Sequence, residues 1–273
     1  MKKFEGILIC TDLDGTLLRS DKTISDENVR AIEYFKSEGG RFTFITGRMH
    51  HFVQKMYDAI KPNAPLGCGN GSGVYDYPNQ KYIWTQNLSH SAIELAEYVV
   101  EHISDMGVHL TTFEKIYFCG NNEEMEKFRR RTRLPNISCA FNEMREPLAK
   151  IVFCHPDEKM IRYTMELLES HPRADEFEFI QSEKTLCEIL PKGISKGSAL
   201  PKIAEAVGVD MSRVIAVGDY NNDISMLLAA SVGIAVGNAR PEVKAVADRV
   251  TVTNEESAIR RIISEIESGE LKI

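Results

Sequence analysis

No Cys-x-x-Cys pair occurs in the chain, and its six cysteines (Cys10, Cys68, Cys119, Cys139, Cys154 and Cys187) are scattered over 273 residues. That spacing lacks the usual zinc and dithiol signatures and predicts reduced, mostly buried thiols in a cytoplasmic protein. A basic excess is also missing: 33 Lys and Arg face 40 Asp and Glu, for a net charge of −7. This balance argues against a nucleic-acid polymer as partner and against docking on an acidic membrane. An anionic substrate stays allowed, because a metal and a few basic side chains set the local field of a site. Near the N-terminus only Ile7 to Cys10 form an apolar run before Asp12. That is too short for a signal peptide or a membrane span. No coiled-coil pattern or strong apolar patch fixes an oligomeric state.

What is present points to chemistry at strand ends. With 43% apolar and 27% charged residues, the chain can build one large domain or two smaller ones. Ile7-Leu8-Ile9-Cys10 reads as a strand buried on both faces, since such a strand shows a continuous apolar run. Asp12 and Asp14 follow where it ends, before the turn signal Gly15-Thr16. In open α/β sheets chemistry collects at the carboxyl ends of strands. Two close carboxylates there repel unless a cation or a shared proton relieves them. The arrangement predicts a hard divalent metal, and with it phosphate chemistry.

Three further motifs strengthen that reading. Phe42 to Ile45 is a second strand, ending in Thr46-Gly47-Arg48. Lys196, within Lys192-Gly193-Ile194-Ser195-Lys196-Gly197, stands at a predicted helix start. Val214 to Val217 is another buried strand, ending in Gly218-Asp219-Tyr220-Asn221-Asn222-Asp223. All four motifs fit one crevice of a parallel sheet. In this order they resemble the haloacid dehalogenase superfamily, specifically a Cof-type phosphohydrolase with a large α/β cap (class IIB). Asn70-Gly71, Met226 and Gly237-Asn238-Ala239 add to the resemblance, which spans essentially the whole chain.

The resemblance implies a Rossmann-like doubly wound parallel-sheet core with an inserted α/β cap. The pattern change from about Trp84 to Glu188 places the cap at 84–188 and the discontinuous core at 1–83 and 189–273. It also implies a Mg²⁺-dependent phosphatase of small phosphorylated metabolites, such as sugar phosphates, nucleotides or phosphorylated cofactors. Asp12 would be the nucleophile that becomes an aspartyl-phosphate. Asp14 would be general acid and then base, with a pKa expected above that of a free aspartate. Asp12, the Asp14 carbonyl and Asp219 would hold Mg²⁺, with Asp223 accepting from metal-bound water. Phosphate donors would be the Leu13 and Gly47 amides, the Thr46 hydroxyl, Lys196 and Asn222. Arg48 and Asn70 are candidates for substrate contacts. The competing functions are a phosphotransferase or phosphosugar mutase and, with both aspartates present, more remotely a phosphometabolite-binding protein without turnover.

Local signals are readable as well. Ile24 and Ser25 form a staple and N-cap for a helix carrying Val29, Ile32 and Phe35, closed at Gly39-Gly40. A second helix is expected over Phe52 to Ile60. The glycines from Gly67 to Gly73 suit either close backbone approach to a ligand or a hairpin-like turn. Pro201 implies that the helix beside Lys196 starts near Ala199 or kinks. His50 and His51 read as loop or packing residues, because oxygen ligands suit Mg²⁺. Arg129-Arg130-Arg131 with Arg133 reads as a solvated helix face.

Overall fold

The computed structural model describes residues 2–132, 135 and 137–273, and divides the chain into two compact units, Met1–Thr85 with Ser195–Ile273 and Gln86–Ile194. The first unit opens with β1 (Leu8–Thr11), buried along its whole length. Ser25 caps α1 (Asp26–Ser37), its hydroxyl accepting from the Asn28 amide at 3.2 Å. Ile32 and Phe35 on this helix are fully buried, each contributing roughly 1.5–3 kcal/mol. Strand β2 (Arg41–Phe44) follows. The helix expected over Phe52 to Ile60 is two pieces, a 3₁₀ turn at His50–Phe52 and α2 (Gln54–Ile60), separated at Val53. A small antiparallel sheet comes next, from β3 (Leu66–Cys68), β4 (Gly73–Asp76) and β5 (Lys81–Thr85). The glycine stretch is thus the tip of a hairpin.

The second unit contains α3 (Ala92–His102), β6 (Gly107–Thr112), β7 (Ile116–Gly120), α4 (Glu123–Thr132), β8 (Ile137–Ser138), β9 (Leu148–Cys154), α5 (Glu158–Ser170), β10 (Phe177–Glu183) and β11 (Leu186–Pro191). Its sheet runs β10-β11-β9-β6-β7-β8, antiparallel except between β7 and β8. Leu110, Ile151, Phe153 and Ile189 cluster with Leu95 and Val99 of α3 and with Ile161 and Leu168 of α5. The intervening positions carry buried polar groups instead. Lys150 Nζ lies 2.8 Å from Glu188 Oε2, and His109 Nδ1 3.0 Å from the Thr111 hydroxyl. His109 stacks on Phe128; burial, then Lys150, pushes its pKa down to about 3, so the ring is neutral. The unit also runs past the expected boundary at 188. Strand β11 continues to Pro191, and the Gly193 amide donates to Glu178, so residues 189–194 stay with this unit rather than the core.

The chain then returns to the first unit through α6 (Lys196–Val207), β12 (Val214–Gly218), α7 (Ile224–Ala229), β13 (Val232–Ala235), α8 (Pro241–Val246), β14 (Arg249–Val250) and α9 (Ala258–Ser268). The core sheet has the order β14-β13-β12-β1-β2 and every pair is parallel. The direction of winding reverses at β1, which fixes a crevice beyond the carboxyl ends of β1 and β12. Helix α6 starts at Lys196 itself, capped by Ser195, so Pro201 falls in its second turn rather than its first. There proline removes the backbone hydrogen bond to the Gly197 carbonyl and crowds that carbonyl with its ring. All six cysteines are free, four of them buried. Among the described residues no helix is long and apolar enough to cross a membrane.

Candidate active site

The four motif segments meet at the carboxyl end of the core sheet. Asp12 follows β1, and its amide donates to the Val217 carbonyl of β12 at 2.8 Å, so the neighbouring strand fixes its position. Its carboxylate is buried and receives Lys196 Nζ at 2.6 Å. The same ammonium reaches Asp223 Oδ1 at 2.6 Å. Asp219 follows β12 and accepts from the Thr16 hydroxyl at 2.6 Å. Gly15, at φ +83°, lies so close to the Asp219 carboxylate that any side chain there would collide with it. Carboxylate oxygens of Asp12, Asp219 and Asp223 all lie within 4.8 Å of one another.

The electrostatics of this cluster are unbalanced. Burial is the largest influence on Asp12 and pushes its carboxyl well up; Lys196 opposes this, while Asp223 and Asp219 add to it. Burial and Asp223 likewise push Asp219 up to about 7. Burial alone would lower the Lys196 pKa, but the carboxylates of Asp12 and Asp223 more than offset it and keep the ammonium charged. Three desolvated carboxylates thus share one cation. A hard divalent ion with oxygen ligands fits this donor set.

Asp223 is more committed than the sequence implied. Its Oδ1 takes Lys196, and its Oδ2 accepts the amides of Asp219 and Tyr220 at 2.9 and 3.0 Å. It therefore shapes the turn that presents Asp219. Asp14 departs further from expectation. Arg48 grips it with two bonds, Nε to Oδ2 at 2.8 Å and Nη2 to Oδ1 at 2.7 Å, and Lys22 Nζ adds a third at 2.8 Å. Burial works against ionisation of Asp14, but Arg48 and then Lys22 prevail and hold its pKa at about 2. The expected elevation of the Asp14 pKa is thereby overturned. The burial of Asp14 is outweighed chiefly by a guanidinium 34 residues away.

Other residues fall into place around this centre. Thr46 follows β2 and is buried, its hydroxyl accepting the Arg48 amide at 3.2 Å. Gly47 lies against the Asn70 amide, and the Leu13 side chain points into the core, leaving only its main chain for a ligand. Asn222 donates through Nδ2 to Asn70 Oδ1 at 3.0 Å. His50 bonds Tyr82 at 2.8 Å and stacks on Tyr75, a packing role. In the second unit, Arg129 lies over the Phe118 ring and Arg130 pairs with Glu126; Arg133 lies outside the described residues.

Several site residues were not singled out by the sequence. Lys22 acts from a left-handed turn at φ +65°. Thr16 fixes Asp219. Asn238 donates to the Gly15 carbonyl at 2.8 Å and accepts from the Asn254 amide at 3.0 Å, tethering the Asp14–Gly15 turn. Thr16 and Asn238 did stand in motifs noticed in the sequence, but without these contacts. Nothing local marks Lys22.

A doubly wound α/β core with buried carboxylates, a buried lysine and a hydroxyl gathered beyond its parallel strands defines a class: enzymes that work in that crevice. The chain belongs to the haloacid dehalogenase-like hydrolases, whose family model matches residues 9–263. It is 28% identical over 262 residues to the 5-amino-6-(5-phospho-D-ribitylamino)uracil phosphatase YitU of Bacillus subtilis, covering 94% of this chain and 96% of that protein. It is 29% identical over 266 residues to the pyridoxal phosphate phosphatase YbhA of Escherichia coli, covering 94% and 97%. In fold it matches a haloacid dehalogenase-like hydrolase from Bacteroides thetaiotaomicron with a TM-score of 0.81 at 23% identity, covering 96% of this chain and 99% of that one.

Proposed function

We propose that this hydrolase is a Mg²⁺-dependent phosphatase that cleaves small phosphorylated metabolites through an aspartyl-phosphate on Asp12. The observation that carries this reading is the buried cluster of Asp12, Asp219 and Asp223 around Lys196, with more negative charge than its one lysine neutralises. Relatives named as phosphatases of 5-amino-6-(5-phospho-D-ribitylamino)uracil and of pyridoxal phosphate support the substrate class. Residues 86–194 are assigned as the cap that selects among substrates.

Asp12, Asp219 and the Asp14 carbonyl would hold Mg²⁺, which when bound neutralises charge on the phosphate oxygens and on Asp12. The Leu13 and Gly47 amides, the Thr46 hydroxyl, the Asn222 amide and Lys196 donate to those oxygens. An Asp12 carboxylate oxygen attacks phosphorus, the ester P–O bond breaks, and the leaving oxygen takes a proton from Asp14. Asp14 then removes a proton from water, whose oxygen attacks phosphorus; inorganic phosphate leaves and the Asp12 carboxylate is regenerated. A carboxyl at about 2 is poorly matched to proton transfer near neutrality. Turnover therefore requires Arg48 and Lys22 to release Asp14 during the cycle.

The test is phosphate release from a panel of sugar phosphates, nucleotides and phosphorylated cofactors, in Mg²⁺ and in chelator. Metal-dependent release is expected. Release that chelator leaves intact, or none from any compound in Mg²⁺, overturns the proposal.

A further inference from the structure

The hairpin tip between β3 and β4 makes three consecutive left-handed residues, Gly69 at φ +59°, Asn70 at +56° and Gly71 at +99°. Glycine adopts this region freely, and asparagine tolerates it better than most residues, held here by its surroundings. Those surroundings are specific. The Asn70 amide donates to the Thr46 carbonyl at 3.0 Å, and its Oδ1 accepts Asn222 Nδ2 at 3.0 Å. The Gly69 amide donates to the Arg48 carbonyl, also at 3.0 Å. A side chain on Gly71 would run into the Ser195 carbonyl that opens α6. Asn70 itself is fully buried. One residue thus joins the loop after β2 to the loop after β12, the latter 152 residues away from it in sequence.

We propose that Asn70 is a positioning residue for phosphate binding rather than a substrate contact. An asparagine amide nitrogen has two hydrogens. Asn70 takes one from Asn222 and so fixes the plane in which the second lies, preorganised for a phosphate oxygen. The link to Thr46 holds the second donor in register with the first. Preorganised donors act without reorganising as the ligand arrives, so loosening them weakens anion affinity before it touches the attack of Asp12. This inference rests on the reading of Thr46 and Asn222 as phosphate donors.

The test compares Asn70→Gly, Asn222→Ala and the double variant, measuring the inhibition constant of inorganic phosphate and KM for p-nitrophenyl phosphate. Asn70→Gly keeps the left-handed backbone and removes only the amide. Asn222→Ala should weaken phosphate by about tenfold, as expected for one donor to a charged group. Asn70→Gly should reproduce most of that loss, with kcat changed less than threefold and Mg²⁺ affinity unchanged. The double variant should match Asn222→Ala alone, because neighbours that act through one another are not additive. Unchanged phosphate affinity in Asn222→Ala sinks the underlying reading. A loss in Asn222→Ala with none in Asn70→Gly, or full additivity, sinks the positioning role alone. Should the glycine variant not fold, Asn70→Ser serves instead, its hydroxyl being too short to span to Asn222.

Discussion

The two units both bury charge, and they do so in opposite ways. In the second, Lys150 faces Glu188 at 2.8 Å, one cation against one carboxylate, and the adjacent His109 is kept neutral. In the first, Lys196 faces both Asp12 and Asp223, with Asp219 close by. A balanced pair leaves no net charge buried and asks for no further counter-ion, whatever its own desolvation costs. An unbalanced cluster is stable only because the surrounding fold forces it, and it is completed by a ligand of opposite sign. The lesson is that the sum of buried charges, more than their number, marks where a protein works.

That contrast can be broken most sharply at Asp12. Asp12→Asn should lower kcat by about 10⁴-fold or more, since the attacking group itself is gone. Thermal unfolding should occur at an unchanged or higher temperature, because one repelling carboxylate has been removed; a large loss of stability would contradict the unbalanced description. Lys150→Met should do the reverse. It leaves Glu188 buried without that partner and should cost about 3–5 kcal/mol in denaturant unfolding, with the Mg²⁺ dependence of any activity retained.

Metal addition gives a third, smaller effect. At a hundredfold excess over its dissociation constant, Mg²⁺ should raise unfolding stability by about 2.7 kcal/mol. Asp219→Asn should lose this gain and Lys150→Met should keep it. Equal gains in both variants would place the ion elsewhere. The mildest test is pH. His109 has a folded pKa of about 3, below that of a free histidine, so the unfolded chain takes up the proton first on acidification. Its contribution is complete above about pH 6.5 and is lost as pH falls toward 3; the loss reaches about 2 kcal/mol at pH 5. His109→Phe should flatten that slope, as seen in unfolding curves at pH 7 and pH 5.

Much of this was legible in the chain because it depends on short stretches. The apolar runs of β1 and β12, the Ser25 cap and the four motifs each announce themselves within a few residues. What escaped was long-range. The low pKa of Asp14 follows from Arg48 and from Lys22 in a left-handed turn, and neither approach is encoded in the local pattern. The start of α6 at Lys196 was obscured by Pro201, whose effect depends on its distance from a helix end set by Ser195. Asn238 was visible as part of a motif, but its grip on Gly15 spans 223 residues.

The strand order carries a consequence for how the molecule is made. Strand β1 is an interior strand of the core sheet, between β2 and β12, and β12 begins only at Val214. During synthesis the first 85 residues leave the ribosome with the β12-facing edge of β1 open. They wait while all of Gln86–Ile194, a contiguous unit with its own core, is translated. At ordinary elongation rates of about 5–20 residues per second that wait lasts several seconds. The inserted unit is fully synthesised while the core sheet still lacks β12, and an unpaired apolar strand edge is a template for aggregation.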